Sequence, residues 1–272
     1  MTVRGTGRGR RLGLTRDKVI DAAVTMIDRD GPDSFSLRKL AAELDIENMS
    51  LYSHVPNKDA LLDGVAEVLL ARIEFPHTDS DPDTDPGPGP DSDPDTGSST
   101  DTGGGDVNGA WQDRIRAHAA AFRAAAQRHP KAFPLVLTRP TQSPAALEAI
   151  GSTLATITGL GLSPEEMVHV LRSYTAFIVG TLMRELGYAL HLGTTDPDEI
   201  QQRVDAITST GAPLLADVAP YLATSDHDVE FHYGLELLIA GLAARTGLPY
   251  DGGPSKPRPP AGLGGDSAEP SS

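Results

Sequence analysis

The chain has 272 residues, a length that fits one or two domains of ordinary size. It contains no cysteine, which excludes disulfide frameworks, zinc–thiolate sites and thiol-based catalysis. Its 23 Lys and Arg residues stand against 38 Asp and Glu residues, and the resulting net charge of −15 argues against a protein that simply coats nucleic acid.

The charges and the apolar residues divide the chain into five segments. Residues 1–14 carry four Arg residues among glycines and predict a flexible, disordered basic arm. Residues 76–108 contain nine Asp and no Lys or Arg, together with many Pro, Gly, Ser and Thr residues, so we expect a disordered acidic linker. Residues 247–272 are rich in Gly and Pro and predict a disordered tail. The remaining residues, 15–75 and 109–246, are predicted to form the two folded domains.

The alternating aspartates of the acidic linker do not make a calcium-binding loop. Counted from Asp81, the sixth and twelfth positions hold Pro86 and Ser92, whereas an EF-hand loop needs Gly and Glu there. The histidines and carboxylates elsewhere show no metal-ligand spacing either. We therefore predict no metal ion and no cofactor.

The sequence shows no membrane-spanning segment. No apolar run approaches the roughly 20 residues that a membrane-spanning helix needs. The N-terminus also lacks the apolar stretch of a secretory signal peptide. The sequence therefore predicts a cytoplasmic protein that has no membrane partner.

Residues 15–75 predict four helices. The first has apolar residues at helical spacing and ends at Asp30–Pro32. Ser36 and Asn57 are the expected N-caps of the second and fourth helices, and the third helix is predicted over Asn48–His54. Two short helices joined by about three residues have the geometry of a DNA-binding helix-turn-helix. Periodicity alone equally allows a small helical bundle that binds nothing.

Polar side chains on these helices favour DNA binding. Residues 1–58 carry ten basic and eight acidic side chains, so this end is locally positive on an acidic protein. The third helix opens with Asn48, Met49 and Ser50, at the end that a recognition helix presents to base edges. The hydroxyl of Tyr52 and the ammonium group of Lys58 are suited to phosphate oxygens.

Two segments resemble the TetR family of bacterial transcriptional regulators. They are Ser36–Ala41 and Ser50–Leu62, and the second contains the family's specific pattern Leu-Tyr-x-His-x-x-x-Lys. The resemblance implies an all-α homodimer that binds double-stranded operator DNA and releases it when a small-molecule inducer binds the larger domain. It implies base contacts from Arg38, Asn48, Met49 and Ser50, and phosphate contacts from Tyr52, His54 and Lys58.

Three of these side chains have a second interpretation. Tyr52 can pack its ring in the core and leave only the hydroxyl free. His54 can simply cap the third helix. Met49 can pack on Leu44 without touching DNA.

The sequence pattern of residues 109–246 also predicts helices throughout. Ser163–Glu166 form an expected capping box at the start of a long apolar helix that is predicted to reach about His191. This block resembles the C-terminal domain of the tetracycline-repressor branch of the family. In that branch, the helices corresponding to residues 163–191 and 227–246 pair with their symmetry mates in a four-helix bundle. The alternative is that both are ordinary core helices.

The ligand-binding positions depart from that branch. Alignment places Leu135 and Arg184 where the tetracycline repressor has a His and a Glu that help to hold the magnesium ion of the drug, so a magnesium–tetracycline inducer is not expected. An Arg184 that points into the pocket favours an anionic or carbonyl-rich ligand, and an exterior salt bridge near Glu185 is the alternative. The candidate ligand-binding residues are His118, Phe122, Thr138 and Arg184.

Other classes of function have less support. The sequence contains no GxSxG, Walker, HExxH or strand-linked GxGxxG motif, so an enzyme is not indicated. The alternative function is a helical adaptor, or an enzyme that keeps the helix-turn-helix only as a scaffold. DNA binding discriminates between these classes, because neither alternative requires it.

Overall fold

The computed structural model describes residues 14–76, 107–139, 143–189 and 193–252. The predicted basic arm lies outside these residues except for residue 14, and the predicted tail lies outside them from residue 253 onward. The predicted acidic linker lies outside them over residues 77–106, and α5 begins at Val107, so it includes the last two residues of that predicted linker. The described residues confirm the all-α class. Their helices are α1 (Arg16–Asp30), α2 (Leu37–Glu43), α3 (Asn48–Tyr52), α4 (Lys58–Ala71), α5 (Val107–Arg128), α6 (Pro134–Thr138), α7 (Pro144–Thr156), α8 (Pro164–Glu185), α9 (Pro197–Thr208), α10 (Pro213–Ala223) and α11 (His227–Thr246).

Residues at their ends explain where several of the first four helices begin and end. Ser36 and Asn57 are confirmed as N-caps, because their side-chain oxygens accept hydrogen bonds from the backbone N–H groups of the first turns of α2 and α4. Gly31 ends α1 with a φ of +84°, a value that suits glycine. The third helix stops at Tyr52, two residues earlier than predicted, and Asp45 makes the tight turn before it with a φ of +53°.

Helix α4 packs closely on α1 and shares its core with later helices. A Cβ atom at Gly64 would lie 2.9 Å from Cδ1 of Ile20, so the two helices approach through a residue without a side chain. Ala132, between α5 and α6, is buried in the same core, and Val136 of α6 packs against it. The described residues of α1 to α8 belong to one compact unit, and those from Gly193 onward belong to a second.

Two polar connections join α1 and α4 to the region around α6. The carboxylate of Asp28 accepts a hydrogen bond from the backbone N–H of Ala132 at 3.0 Å and lies 2.6 Å from Nδ1 of His129. Arg139 forms ion pairs with Asp59 and Asp63 on the first turns of α4. These contacts supplement the apolar packing of α4 against α6 and α7.

Helix α8 has the predicted start and an earlier end. The capping box is complete, since Ser163 Oγ accepts from the N–H of Glu166 and the Glu166 carboxylate accepts from the N–H of Ser163. The helix ends at Glu185, before the predicted end near His191, because Gly187 adopts a φ of +81°. His191 itself lies outside the described residues.

The second compact unit contains α9, α10 and α11. The side chain of Asp196 caps α9, and α11 spans His227–Thr246, which agrees with the range 227–246 given by the resemblance. Before α9, Thr194 forms an isolated bridge to Thr224, in which its N–H donates to the carbonyl oxygen of Ala223 at 2.9 Å. This bridge closes the α9–α10 segment at its base.

A side chain at Gly193 should open this bridge. An added Cβ would lie 2.1 Å from the carbonyl oxygen of Thr224, so the backbone must move. We expect Gly193→Ala to lower the free energy of unfolding by about 1–3 kcal/mol, the usual range for overpacking. Urea titration of the parent chain and the variant measures this change in the free energy of unfolding. Gly151→Ala is the matched control, because its Cβ meets open space in α7 and should be neutral or stabilising.

Candidate nucleic-acid interface and ligand pocket

The start of α3 presents its side chains outward. Leu51 is completely buried and anchors this short helix in the core. Asn48, Met49 and Ser50 precede it and are exposed, and Arg38 is exposed on α2. Met49 has 75% of its surface exposed, which leaves little of it to pack on the core. The arrangement supplies amide, hydroxyl and guanidinium groups to a partner beside α3, together with an apolar thioether.

The predicted phosphate-binding residues lie beside this surface. Tyr52 is exposed over 42% of its surface, so its ring is only partly used in packing, and His54 is half-buried just after the end of α3. The Lys58 Nζ donates to the carbonyl oxygen of Phe35 at 3.0 Å. An ammonium group has three N–H donors, so this bond positions the side chain and leaves donors for an anion.

A pocket lies between α4 and helices α5 to α8. Its volume is about 200 Å³. The walls are mostly aliphatic, and the polar lining side chains carry only hydroxyl groups. The lining residues are Leu70, Phe122, Val136, Leu137, Ala146, Ala149, Ile150, Thr153, Leu171, Tyr174, Thr175, Ile178 and Val179.

The four predicted ligand-binding residues occupy different positions. Phe122 lines the pocket, and His118 lies directly behind its wall, in contact with lining residues. Thr138 is exposed and donates its hydroxyl hydrogen to Pro134 of its own helix. Arg184 is not among the lining residues. Its neighbour Glu185 instead forms a nearly buried ion pair with Arg123 at 2.8 Å, which joins α8 to α5.

His118 is the centre of a buried polar cluster. It is 2% exposed, and its Nδ1 lies 2.9 Å from the hydroxyl oxygen of Tyr174. Nε2 lies 3.4 Å from Oγ1 of Thr153. Phe75 stacks on the ring at 4.4 Å between centroids. Burial lowers the pKa of His118 to about 4, so the imidazole is neutral at pH 7. Burial also raises the pKa of the Tyr174 hydroxyl, which stays protonated.

The sequence did not indicate most of this pocket. Tyr174 and Ile178 lie on α8, which was predicted to form a dimer interface or a core, and Thr153 lies on α7, for which no role was predicted. Their periodicity marks a buried face but does not distinguish a packed face from a cavity wall. Only a polar residue such as Thr153 or Tyr174 within that face was a possible signal.

The described residues contain no group of three or more His, Asp or Glu side chains placed to hold a metal ion. Among the helices of the described ranges, none combines the length and the apolar character required to cross a bilayer.

Two family models match the chain. The model described as "Bacterial regulatory proteins, tetR family" matches residues 19–65, and the model "Tetracyclin repressor-like, C-terminal domain" matches residues 104–246. This chain belongs to the TetR family of transcriptional regulators. The resemblance seen in its sequence, including that of the C-terminal domain to the tetracycline repressor, is confirmed.

Individual relatives agree with the family assignment. Tetracycline repressor protein class E of Escherichia coli is 30% identical to this TetR-family chain, with 85% of this chain and 92% of that protein aligned. The HTH-type transcriptional repressor DrrR1 of Streptomyces coeruleorubidus is 28% identical over 89% of this chain and 82% of its own length. The crystal structure of ActR from Streptomyces coelicolor in complex with actinorhodin is similar with a TM-score of 0.67 and 25% identity, covering 86% of this chain and 99% of that one.

The buried imidazole of His118 makes the stability of this regulator depend on pH. Its pKa is about 4 in the folded protein and 6.5 ordinarily, so the unfolded chain takes up the proton more readily. The contribution to stability is complete above about pH 6.5 and falls as the pH drops toward 4, by about 3 kcal/mol in total.

The measurement is urea unfolding at several pH values and one protein concentration, followed by the fluorescence of Trp111, the single tryptophan. His118→Asn is the comparison, since it keeps every other titrating group. The variant should show a shallower loss of stability between pH 6.5 and 4 than the parent. Equal slopes would contradict the depressed pKa of His118.

Proposed function

We propose that this protein is a ligand-responsive repressor that binds operator DNA as a homodimer and releases it when the pocket is occupied. The main support for this proposal is helix α4, because one of its ends lies at each of the two candidate sites. Its first turn holds Lys58 beside the DNA-reading helices, and Leu70 near its last turn lines the pocket. A ligand that prefers one position of α4 therefore biases the position of the DNA-reading helices.

The DNA-binding mode follows from the exposed residues of the first block. Arg38, Asn48, Met49 and Ser50 contact base edges in the major groove, and Tyr52, His54 and Lys58 contact phosphates. The support is that all seven side chains are exposed or half-buried beside α3. The operator is palindromic, with the two recognition helices roughly 34–36 Å apart.

The homodimer forms through α8 and α11. Helix α11 is apolar on two opposite faces, and only the face with Phe231, Leu235 and Ile239 is buried in one chain. The opposite face exposes Val229, Tyr233 and Leu237. Helix α8, in the other compact unit, exposes Val168 and the small residues Ala176 and Gly180. Exposed apolar helix faces of this kind are usually covered by a second copy in symmetric oligomers.

The ligand binds in the pocket lined by Phe122, with His118 behind the wall, whereas Thr138 and Arg184 lie outside the lining.

The protein works in the cytoplasm, where operator DNA is available, and acts by binding and not by catalysis. The named relatives, which are repressors, support the direction of regulation.

Selection of bound fragments from a random DNA pool identifies the operator and tests its symmetry. The proposal predicts an inverted repeat whose half-sites are about one helical turn apart. Enrichment of no sequence at all would favour the alternative of an adaptor that keeps the helix-turn-helix as a scaffold.

Substitutions in the first block should then separate base contacts from phosphate contacts. Tyr52→Phe removes a hydroxyl that binds phosphate, so it should weaken binding to all sequences by a similar factor. Arg38→Ala and Asn48→Ala should each cost about 1–3 kcal/mol and relax the preference at one base pair. Electrophoretic mobility shifts on the operator and on its single-base variants measure both effects. Unchanged base preference in the Arg38 and Asn48 variants would remove these residues from the base-contact list.

A further inference from the structure

Among the described residues, those that line the pocket carry no charged group. The lining residues, which lie on α4 to α8, include no Asp, Glu, Lys, Arg or His. A ligand with a bare carboxylate would lose hydration there without gaining a charged partner, at a cost in free energy. A chelated metal ion would likewise meet no carboxylate or imidazole in these walls. The pocket therefore favours a neutral ligand that is bound without metal.

The hydroxyl hydrogen of Thr153 is already used. Its Oγ1 donates to the carbonyl oxygen of Ala149 at 2.8 Å, which is a good hydrogen bond within α7. Toward His118, the same oxygen can act only as an acceptor. The longer contact of 3.4 Å to Nε2 of His118 is therefore a bond in which the imidazole donates. This places the single hydrogen of the neutral imidazole on Nε2.

The tautomer of His118 fixes the role of Tyr174. With its hydrogen on Nε2, the imidazole presents a lone pair at Nδ1, which accepts the hydroxyl hydrogen of Tyr174 at 2.9 Å. The oxygen of Tyr174 keeps only acceptor capacity. Phe75 covers one face of the His118 ring and holds it in place for this bond. The chain of donors runs from Tyr174 through His118 and Thr153 to the carbonyl oxygen of Ala149.

We propose that the pocket binds a neutral aromatic ligand that donates a hydrogen bond from an O–H or N–H group to the oxygen of Tyr174, without a metal ion. The apolar walls and the ring of Phe122 bind the aromatic part. The volume of about 200 Å³ accommodates about two fused rings before the walls must move. This inference rests on the proposed function only in taking this pocket as the regulatory site.

Three probe compounds of nearly equal size test the proposal by calorimetry on the full chain without DNA. 2-Naphthol carries a donor, 2-methoxynaphthalene has only an acceptor, and 2-naphthoate carries a charge. At neutral pH, 2-naphthol should bind about threefold to tenfold more tightly than the methyl ether, which is the usual effect of one neutral hydrogen bond. 2-Naphthoate should show no measurable binding. Exchange of EDTA for magnesium chloride should change none of these affinities.

Tyr174→Phe separates the hydrogen bond from the size of the methyl group. This variant keeps the ring and removes the acceptor, so the preference for 2-naphthol over the ether should fall to less than twofold. Tyr188→Phe is the matched control, since Tyr188 is 42% exposed and does not line the pocket. It should keep the preference of the parent chain.

Four results would overturn the proposal. They are equal binding of 2-naphthol and its ether by the parent chain, a preference that persists in Tyr174→Phe, binding that requires magnesium, and no binding of either neutral probe. None of them bears on operator recognition, which mobility shifts measure separately. A chain that binds 2-naphthol as expected and selects no DNA sequence would overturn the proposed function and leave the ligand class standing.

Discussion

Helix α4 is packed against two groups of helices at the same time, and the rest of the structure depends on this packing. On one side, Gly64 lets α1 approach so closely that an added Cβ would lie 2.9 Å from Ile20. On the other side, α4 meets α6 and α7, and Leu70 forms part of the pocket wall. The polar contacts of Asp28 and Arg139 join the same helices. A core shared in this way leaves little freedom for the DNA-reading helices to move independently of the pocket.

Ion pairs form where two helices meet, whereas the described residues that line the pocket carry no charge. Arg123 and Glu185 pair where α5 meets α8, and Arg139 pairs with α4 where α6 ends. The cost of burying a charge explains this separation, because each buried ion needs a partner with good geometry. His118, which is buried behind the pocket wall, is kept neutral by the same cost. A pocket built in this way selects ligands by shape and by hydrogen-bond direction.

Local signals in the sequence predicted many of the helix starts, but they could not predict contacts between residues that are far apart in the sequence. Caps such as Ser36, Asn57 and Ser163 identify helix starts because the capping oxygen and its N–H lie within three residues. The short α6 and the proline-containing α10 were not predicted as separate helices, since five residues show no period and Pro220 lies within the apolar pattern of α10. At the pocket, Phe122 was predicted, but Tyr174 was not. A one-residue step turns a helix by about 100°, so Arg184 and Glu185 point in different directions, and only packing decides which one meets α5.

Native-state hydrogen exchange of the chain with Leu70→Ala tests the shared core most directly. The substitution removes a buried side chain at the pocket end of α4 and should cost about 2–5 kcal/mol. With Leu147→Ala as the exposed control, we expect the amides of α1 and of α7 to lose protection by the same amount in the Leu70 variant and to stay unchanged in the control. Loss of protection in α7 with no change in α1 would show that the two groups of helices open separately, and it would contradict α4 as the link between pocket and DNA.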